Sequence, residues 1–386
     1  MFAHMRTRPL FLFSTSLLAL SAECTTIDIT YNFVPDEAQV AIEHAASIWE
    51  GILVSSVPIK AMVTWVPMAG AALGITFPNG RRDFPGAPYP ETWYATALAN
   101  SISGTEQNEG ENDFEIFLSS STSWYYGTDG ATPNGQYDLV SAALHEMGHG
   151  VGFVGLSKKT GAEGSFGLLE MSDFAPLVTS FPWPQLDTLP GIFDRFLAHP
   201  QNGPLEQMDN PGTVLGSAMT SNQVRFNGAF AMEANNGNAP RIYSPSTFAL
   251  GSSCVHLNES TYPEGNANEL MTPFSGAANA NHWPGPLCVA MLRDIGWTIA
   301  PEVYLNEVSA LEDRLTLWPN PAATVLRFGP SDMSMKTRLT ISDAHGRVLL
   351  AATADSMMDV SHLAPGSYVA VLTSGASVRH GHFVKE

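Results

Sequence analysis

Residues 137–155 read YDLVSAALHEMGHGVGFVG and contain the pattern His145-Glu146-x-x-His149. On a helix of about 3.6 residues per turn, His145 and His149 lie on one face and can hold one metal ion. Two neutral imidazoles suit Zn²⁺, and the carboxylate of Glu146 can accept a proton from a water that the ion activates. The stretch therefore predicts a zinc-binding helix with a general base beside the ion.

The glycines of this stretch help to choose between two interpretations. The pattern also fits a buried amphipathic helix whose histidines hydrogen-bond to carbonyl groups of the core. Gly148, Gly150 and Gly152, however, would each cost up to about 1 kcal/mol relative to alanine inside a helix. Close packing or a sharp exit below a metal ion would explain them, so we favour the zinc-binding interpretation.

A catalytic zinc ion needs a third protein ligand and an open position for water. We predict His256, in the loop sequence SSCVHL at 252–257, as this ligand. Two alternatives stay open: His282, beside Trp283, and the carboxylate of Glu269.

Length and charge limit the function classes. A chain of 386 residues suits one large domain, which we place at 25–300, a linker at 301–312 and a smaller module at 313–386. The net charge of −19, from 18 basic and 37 acidic side chains, argues against nucleic acid or an anionic membrane as partner.

Residues 1–24 resemble an export signal. Arg6 and Arg8 precede an apolar run at 10–20 that is too short to span a bilayer, and no later stretch is long and apolar enough to do so. Export permits disulfide bonds. A bridge between Cys254 and Cys288 is therefore one expectation, and two free buried thiols are the alternative.

The elements before the metal-binding helix follow from the apolar periodicity. Strands are predicted at 26–33, 59–66 and 113–119, and a helix from Pro35 to Gly51. The strand at 113–119 is either an interior strand or an edge strand that pairs with an extended peptide. Residues 67–112 are predicted as loops with one or two short strands.

The remainder of the large domain is less regular. A helix is predicted near 192–197 within the irregular stretch 156–250, and a terminal packing helix at 287–297. The polar loop 124–137, which contains Asp129-Gly130, is a candidate for a Ca²⁺ site.

The last module predicts an all-β fold. Short alternating strands at 325–328, 338–342 and 367–372 are separated by turns, and this spacing is typical of a small β-sandwich.

The large domain resembles the metzincin zinc peptidases, and within them the leishmanolysin-like branch. The resemblance is carried by His145–Phe153, a long insertion, His256, and a turn at 269–273 whose Met271 would form an apolar floor below the histidines. Most metzincins place the third ligand where this chain has Gly155. The resemblance implies an α+β zincin fold with a mixed sheet, two helices and an irregular C-terminal subdomain.

The last module resembles the type IX secretion system (type A) sorting domain. The matching motifs are WPNP at 318–321, DxxGR at 343–347, LxPGxY at 363–368 and the final VKE. The resemblance implies an address for the secretion machinery and a location outside, or on the surface of, a Gram-negative cell. A generic binding module is the alternative.

Together these features predict a secreted zinc endopeptidase acting on protein or peptide substrates, with His145, His149 and His256 as metal ligands and Glu146 as general base. The rival functions are an inactive surface adhesin on the same scaffold and a zinc hydrolase of non-peptide substrates.

Overall fold

The computed structural model describes residues 25–386 except 69, 71, 177–186, 302, 304–314, 316, 329–336, 344–347, 354–356 and 375–376. The predicted signal at 1–24 and most of the predicted linker at 301–312 lie outside the described residues. The chain divides into two compact units, Met1–Ile299 and Ala300–Glu386.

The first unit mixes helices and strands, as predicted. Its helices are α1 (Asp36–Glu50), α2 (Thr96–Ser103), α3 (Leu139–Gly150), α4 (Thr213–Ala218), α5 (Ala229–Ala234) and α6 (Gly285–Ile295). Its strands are β1 (Ile27–Asn32), β2 (Leu53–Val54), β3 (Ile59–Val66), β4 (Gly74–Pro78), β5 (Gly80–Arg81), β6 (Tyr94–Ala95), β7 (Phe114–Ser119), β8 (Trp124–Tyr125), β9 (Tyr137–Asp138), β10 (Ser157–Thr160), β11 (Glu163–Phe166), β12 (Leu197–His199), β13 (Gly203–Pro204), β14 (Arg225–Phe226) and β15 (Thr298–Ile299).

The main sheet has the strand order β1-β3-β7-β4. The first three strands run parallel, and β4 runs antiparallel to β7 at the edge. The strand at 113–119 is thus an interior strand, which decides between the two predicted alternatives. The edge strand next to it is β4, within the stretch predicted mainly as loops.

Helix α1 packs against α3 and holds it on the sheet. The inward face of α1 carries small buried side chains, among them Ala38, Ala41 and Ala45, which allow a close approach. The indole nitrogen of Trp49 donates a hydrogen bond of 3.0 Å to the carbonyl of Leu144 on α3. Both groups are buried, so each needs a hydrogen-bond partner inside the protein. This hydrogen bond therefore fixes the position of α3 relative to α1.

Two predictions for the first unit need correction. The stretch 67–112 contains a helix, α2, that was not predicted; its Ala97, Leu98 and Ala99 are buried. The helix predicted near 192–197 is only a single 3₁₀ turn at Asp194–Phe196, which leads directly into β12. The terminal helix predicted at 287–297 is present as α6.

The second unit is all-β, which confirms the predicted class. Its strands are β16 (Leu317–Trp318), β17 (Val325–Phe328), β18 (Thr337–Asp343), β19 (Val348–Thr353), β20 (Met357–Asp359), β21 (Gly366–Ser374) and β22 (Ser377–Lys385). They form two sheets, β16-β17-β20 and β19-β18-β21-β22. Both sheets contribute to one core, which includes Leu326, Phe328, Ile341 and Phe383.

The glycine at the end of α3 yields a stability prediction. A Cβ atom at Gly150 would lie 2.6–2.7 Å from ring atoms of Phe114, whose side chain is fully buried on β7. We expect Gly150→Ala to lower the free energy of unfolding by about 1–3 kcal/mol, measured by urea denaturation. Gly51→Ala is the matched control, since the nearest atoms there are 3.5 Å away or more. A Gly150→Ala protein as stable as wild type would contradict this packing.

Candidate metal centre

Helix α3 begins at a capping residue and presents two histidines one turn apart. Asp138 precedes the helix, and its carboxylate accepts a hydrogen bond of 2.7 Å from the backbone N–H of Ser141, which satisfies one free donor of the first turn. Because His145 and His149 are four residues apart, their side chains point to the same side.

The structure brings His256 to this pair from a loop 107 positions further along the chain. The Nε2 atom of His149 lies 3.1 Å from Nε2 of His145 and 3.2 Å from Nε2 of His256. The third side of the triangle, between His256 and His145, measures 3.3 Å. Three ring nitrogens therefore converge on one point.

The other ring nitrogen of each histidine faces a backbone carbonyl. Since a carbonyl oxygen only accepts hydrogen bonds, each Nδ1 carries the proton, and each neutral ring directs an Nε2 lone pair at the centre. The acceptors are the carbonyl oxygens of Leu270, Phe153 and Ser252, at 2.6, 2.7 and 3.0 Å from Nδ1 of His145, His149 and His256, respectively.

This arrangement fits a zinc ion. Zn–N bonds of about 2.0–2.1 Å at tetrahedral angles place ligand nitrogens about 3.3 Å apart, close to the separations found here. Three lone pairs at this distance repel one another unless a cation lies between them. Among the described residues, these three histidines form the only group of three or more His, Cys, Asp or Glu side chains close enough to hold an ion together, so a fourth position would stay open.

Burial keeps the three imidazoles neutral. It lowers the pKa of His145 and lowers that of His149 well below its ordinary value. It lowers the pKa of His256 to about 3. Repulsion between the rings acts in the same direction for His149 and His256. Neutral imidazole is the form that binds a metal ion.

The carboxylate of Glu146 is held beside the histidines by the edge strand β4. Its side chain is 6% exposed, and Oε2 accepts a hydrogen bond of 2.7 Å from the hydroxyl of Thr76. A Cβ atom at Gly74 would lie 2.7 Å from Oε1, so only glycine leaves room there. Burial raises the pKa of Glu146 to about 7, although the bond from Thr76 opposes this shift. Neither β4 residue could be identified from the sequence, because neither lies in a motif.

Met271 lies under α3, where Gly148 makes room for it. The residue is fully buried, and its sulfur would be 2.9 Å from a Cβ atom at Gly148. The turn that carries it is closed by a hydrogen bond of 2.9 Å from Thr272 N–H to the Glu269 carbonyl. The same turn supplies the Leu270 carbonyl that orients His145.

The two alternative third ligands lie elsewhere. His282 Nε2 is 2.9 Å from the carboxylate of Asp138 at the start of α3. The carboxylate of Glu269 accepts hydrogen bonds from Gly265 N–H and from the side-chain amide of Asn279. Neither residue belongs to the group of three histidines.

The disulfide expected between Cys254 and Cys288 is not formed, which corrects that prediction. Both residues are free, buried thiols. Cys288 lies on the buried face of α6, whereas the thiol of Cys254 faces the carbonyl of Met219 at 3.8 Å. Burial raises the pKa of both thiols.

The loop at 124–137, considered for calcium, does not present a cluster of acidic side chains among the described residues. The carboxylate of Asp129 is engaged within the loop: it accepts hydrogen bonds from the Tyr125 hydroxyl at 2.7 Å and from Ala131 N–H at 3.0 Å.

The histidines open into a cleft with a cavity of about 730 Å³. One wall is formed by residues 72–78, which include strand β4. Further lining residues come from 250–252, 255–256, 269–270 and 272–276. The candidate metal centre is therefore accessible to a substrate as well as partly buried.

Comparison with known proteins bears on the second unit. Residues 316–386 match the family model described as secretion system C-terminal sorting domain. The C-terminal module is a type IX secretion sorting domain. It indicates export to the cell surface or beyond and implies an interaction with the secretion machinery, which confirms the predicted location. In the part of the chain that the structure describes, every helix is too short or too polar to cross a membrane.

Other comparisons add little. No curated protein matches the chain. Among solved structures, CopC from Methylosinus trichosporium OB3b is similar over 19% of this chain and 91% of its own, with 19% sequence identity and a TM-score of 0.14. A likeness this weak supports no conclusion about either unit.

The geometry predicts which histidine completes the metal centre. We expect wild-type protein to hold about one zinc ion per chain, and His256→Ala to lose it, because two imidazoles remain where three are needed. His282→Ala should keep its zinc. The measurement is zinc content by mass spectrometry after dialysis of folded protein. Zinc lost from His282→Ala and retained by His256→Ala would reverse the assignment.

The lowered pKa values predict how zinc binding responds to acid. Protons compete with zinc only below the pKa of each imidazole, so lowering the pKa from the ordinary 6.5 extends binding to lower pH. We expect zinc to be retained at a pH of about 5.5, one unit below the usual imidazole pKa. Zinc content is measured after dialysis across a pH series, with circular dichroism to show that the fold persists. Half-loss of zinc at any pH above about 5.5 would contradict the prediction.

Proposed function

We propose that the protein is a secreted zinc-dependent endopeptidase. One observation carries the proposal: three Nε2 lone pairs converge at zinc-ligand distances, next to the buried carboxylate of Glu146 and in the lining of an open cleft. His145, His149 and His256 would hold the ion, and the type IX sorting domain accounts for export.

In the proposed hydrolysis, the zinc ion and the side chains of the protein have different roles. Zinc in such a site supplies Lewis-acid activation of a water and of the scissile carbonyl. Glu146 accepts the proton of the attacking water and then delivers it to the leaving amine. The hydrogen bond from Thr76 aims the carboxylate, and burial, which raises its pKa to about 7, brings its basicity close to neutral pH.

The edge strand favours a peptide substrate. Among the described residues, strand β4 pairs with β7 on one side and with no strand on the other, and residues 72–78 line the cavity. An extended peptide can add to such an edge through backbone hydrogen bonds. A scissile bond aligned in this way would pass beside Glu146, because Thr76 and Gly74 belong to the same strand. This argument favours peptide hydrolysis over hydrolysis of a non-peptide substrate.

The metzincin-like identity, with a leishmanolysin-like delayed third ligand, is part of the same proposal. It is supported by a mixed sheet with α1 and α3 packed together, by Met271 below the histidine-bearing helix, and by a left-handed exit from that helix at Gly152, with φ of 120°. An inactive adhesin on this scaffold is the poorer alternative, because burying the Glu146 carboxyl costs free energy that binding alone does not require.

Substitution of the proposed general base provides the direct test. We expect Glu146→Gln to retain zinc but to lose about 10²- to 10⁴-fold in kcat/KM, measured by cleavage of casein or a quenched fluorescent peptide, with and without chelator. Glu115→Gln is the control, since Glu115 is a partly buried carboxylate on β7. Full activity in zinc-loaded Glu146→Gln would exclude the proposed base. Zinc-loaded wild-type protein that cleaves no peptide would refute the peptidase function.

A further inference from the structure

A second buried carboxyl group lies near the candidate metal centre. Asp194 is fully buried in the first unit, and no ion pair to it occurs among the described residues. Its Oδ2 atom accepts hydrogen bonds from the backbone N–H groups of Leu156, at 2.8 Å, and Gly191, at 2.9 Å. Its Oδ1 atom is 3.4 Å from the hydroxyl of Ser157. Burial raises the pKa of Asp194 to about 7.

The partners of Asp194 belong to distant parts of the chain. Leu156 and Ser157 follow the exit of α3 and line the cavity. The turn that carries Asp194 is itself fastened to Trp93: Trp93 N–H donates to the Pro190 carbonyl at 3.0 Å, and Ile192 N–H donates to the Trp93 carbonyl at 2.7 Å. Asp194 therefore connects the segment after the metal-binding helix to a turn anchored near α2.

The loop of the third histidine packs on the same spot. A Cβ atom at Gly155 would lie 2.6 Å from Oδ1 of Asp194 and 3.7 Å from the carbonyl oxygen of Cys254. Cys254 is fully buried, has a φ of 67°, and precedes His256 by two residues. Burial, and next to it the charge of Asp194, raise the pKa of the Cys254 thiol.

The backbone around His256 is fixed on its other side by Tyr243. Cys254 N–H donates to the Tyr243 carbonyl, and Tyr243 N–H donates to the His256 carbonyl, each at 2.8 Å. The loop is thus held between the Tyr243 segment and the segment Gly155–Ser157. If residues 155–157 moved, the loop of His256 would lose its contact with one of these two segments.

We propose that Asp194 is a positioning residue for the metal centre, which holds Gly155–Ser157 against the loop of His256 and so sets the approach of the third imidazole to the helical pair. The inference rests on the proposed zinc site. A carboxyl group buried without a cation is costly, and here its hydrogen bonds fix residues 155–157, which pack against the loop of His256.

The test uses Co²⁺ as a probe, because its visible absorption reports ligand geometry. We expect Asp194→Ala, in the full chain, to weaken Co²⁺ affinity about tenfold, the low end of the loss when outer partners of metal ligands are removed, and to shift the absorption bands. Asp194→Asn keeps an oxygen that can accept from Leu156 and Gly191, so its affinity should lie close to that of wild type.

Asp294→Ala is the matched control. Asp294 on α6 likewise accepts hydrogen bonds from two backbone N–H groups, those of Phe230 and Ala231, at 3.0 and 2.8 Å, but it does not line the cavity. The control should lower the melting temperature and leave Co²⁺ affinity and spectrum unchanged.

Three results would overturn the inference: wild-type affinity and spectrum in Asp194→Ala, an equal loss of affinity in Asp294→Ala, or no recovery in Asp194→Asn. If Asp194→Ala does not fold, Ser157→Ala provides the test, since it removes only the hydroxyl contact with Asp194. We expect this variant to lose less Co²⁺ affinity than Asp194→Ala would. An unchanged Co²⁺ affinity would count against the inference. Wild-type protein that binds neither Co²⁺ nor Zn²⁺ would instead refute the metal centre itself.

Discussion

The structure of the first unit depends on how the three imidazoles of the candidate metal centre, two of them buried, satisfy their Nδ1–H groups. A buried donor without an acceptor costs about 1–3 kcal/mol, and each of the three donates to a backbone carbonyl. The carbonyls come from the exit of α3, from the turn of Met271 and from the loop before His256. These hydrogen bonds fix the orientation of each ring so that its Nε2 atom points towards the other two. The contacts that satisfy the donors therefore also form the candidate metal centre.

Close packing around α3 serves the same arrangement. Gly148 admits Met271 and Gly150 admits Phe114, so the helix lies nearer to the sheet and to the turn below it than side chains would allow. The helix gives up some intrinsic stability for these glycines. In return, the Leu270 carbonyl next to Met271 can reach His145. On the other side, the bare Gly74 lets β4 approach Glu146. Because these glycines lack Cβ atoms, the proposed base and one metal ligand can both reach their positions.

Sequence could predict the parts of this site that are local. The spacing of His145 and His149, the apolar periodicity of β1, β3, β7, α1 and α6, and the motifs of the sorting domain are all set by neighbouring residues. The edge strand β4 and helix α2 could not be predicted from their sequences, GITFP and TALANSIS. Both sequences are short, and their burial depends on residues that are distant in the chain. The carbonyls that orient the histidines and the carboxyl of Asp194 could not be predicted either, since backbone groups carry no sequence signal and the 3₁₀ turn of Asp194 resembles any polar turn.

The long separation between His149 and His256 also has a physical explanation. Loop-closure entropy grows only logarithmically, so lengthening the connection from about ten residues to 107 costs roughly 2 kcal/mol. Zinc binding to structural sites supplies about 10–16 kcal/mol, and the insertion does not behave as a free loop. It contains β10 to β14, α4 and α5. Its Asp194 turn is bonded to Leu156, and its Tyr243 segment is bonded to Cys254 and to the carbonyl of His256 itself. A folded insertion can thus deliver a distant histidine as accurately as a short loop, because the placement of the ligand depends on packed contacts and not on the number of residues between them.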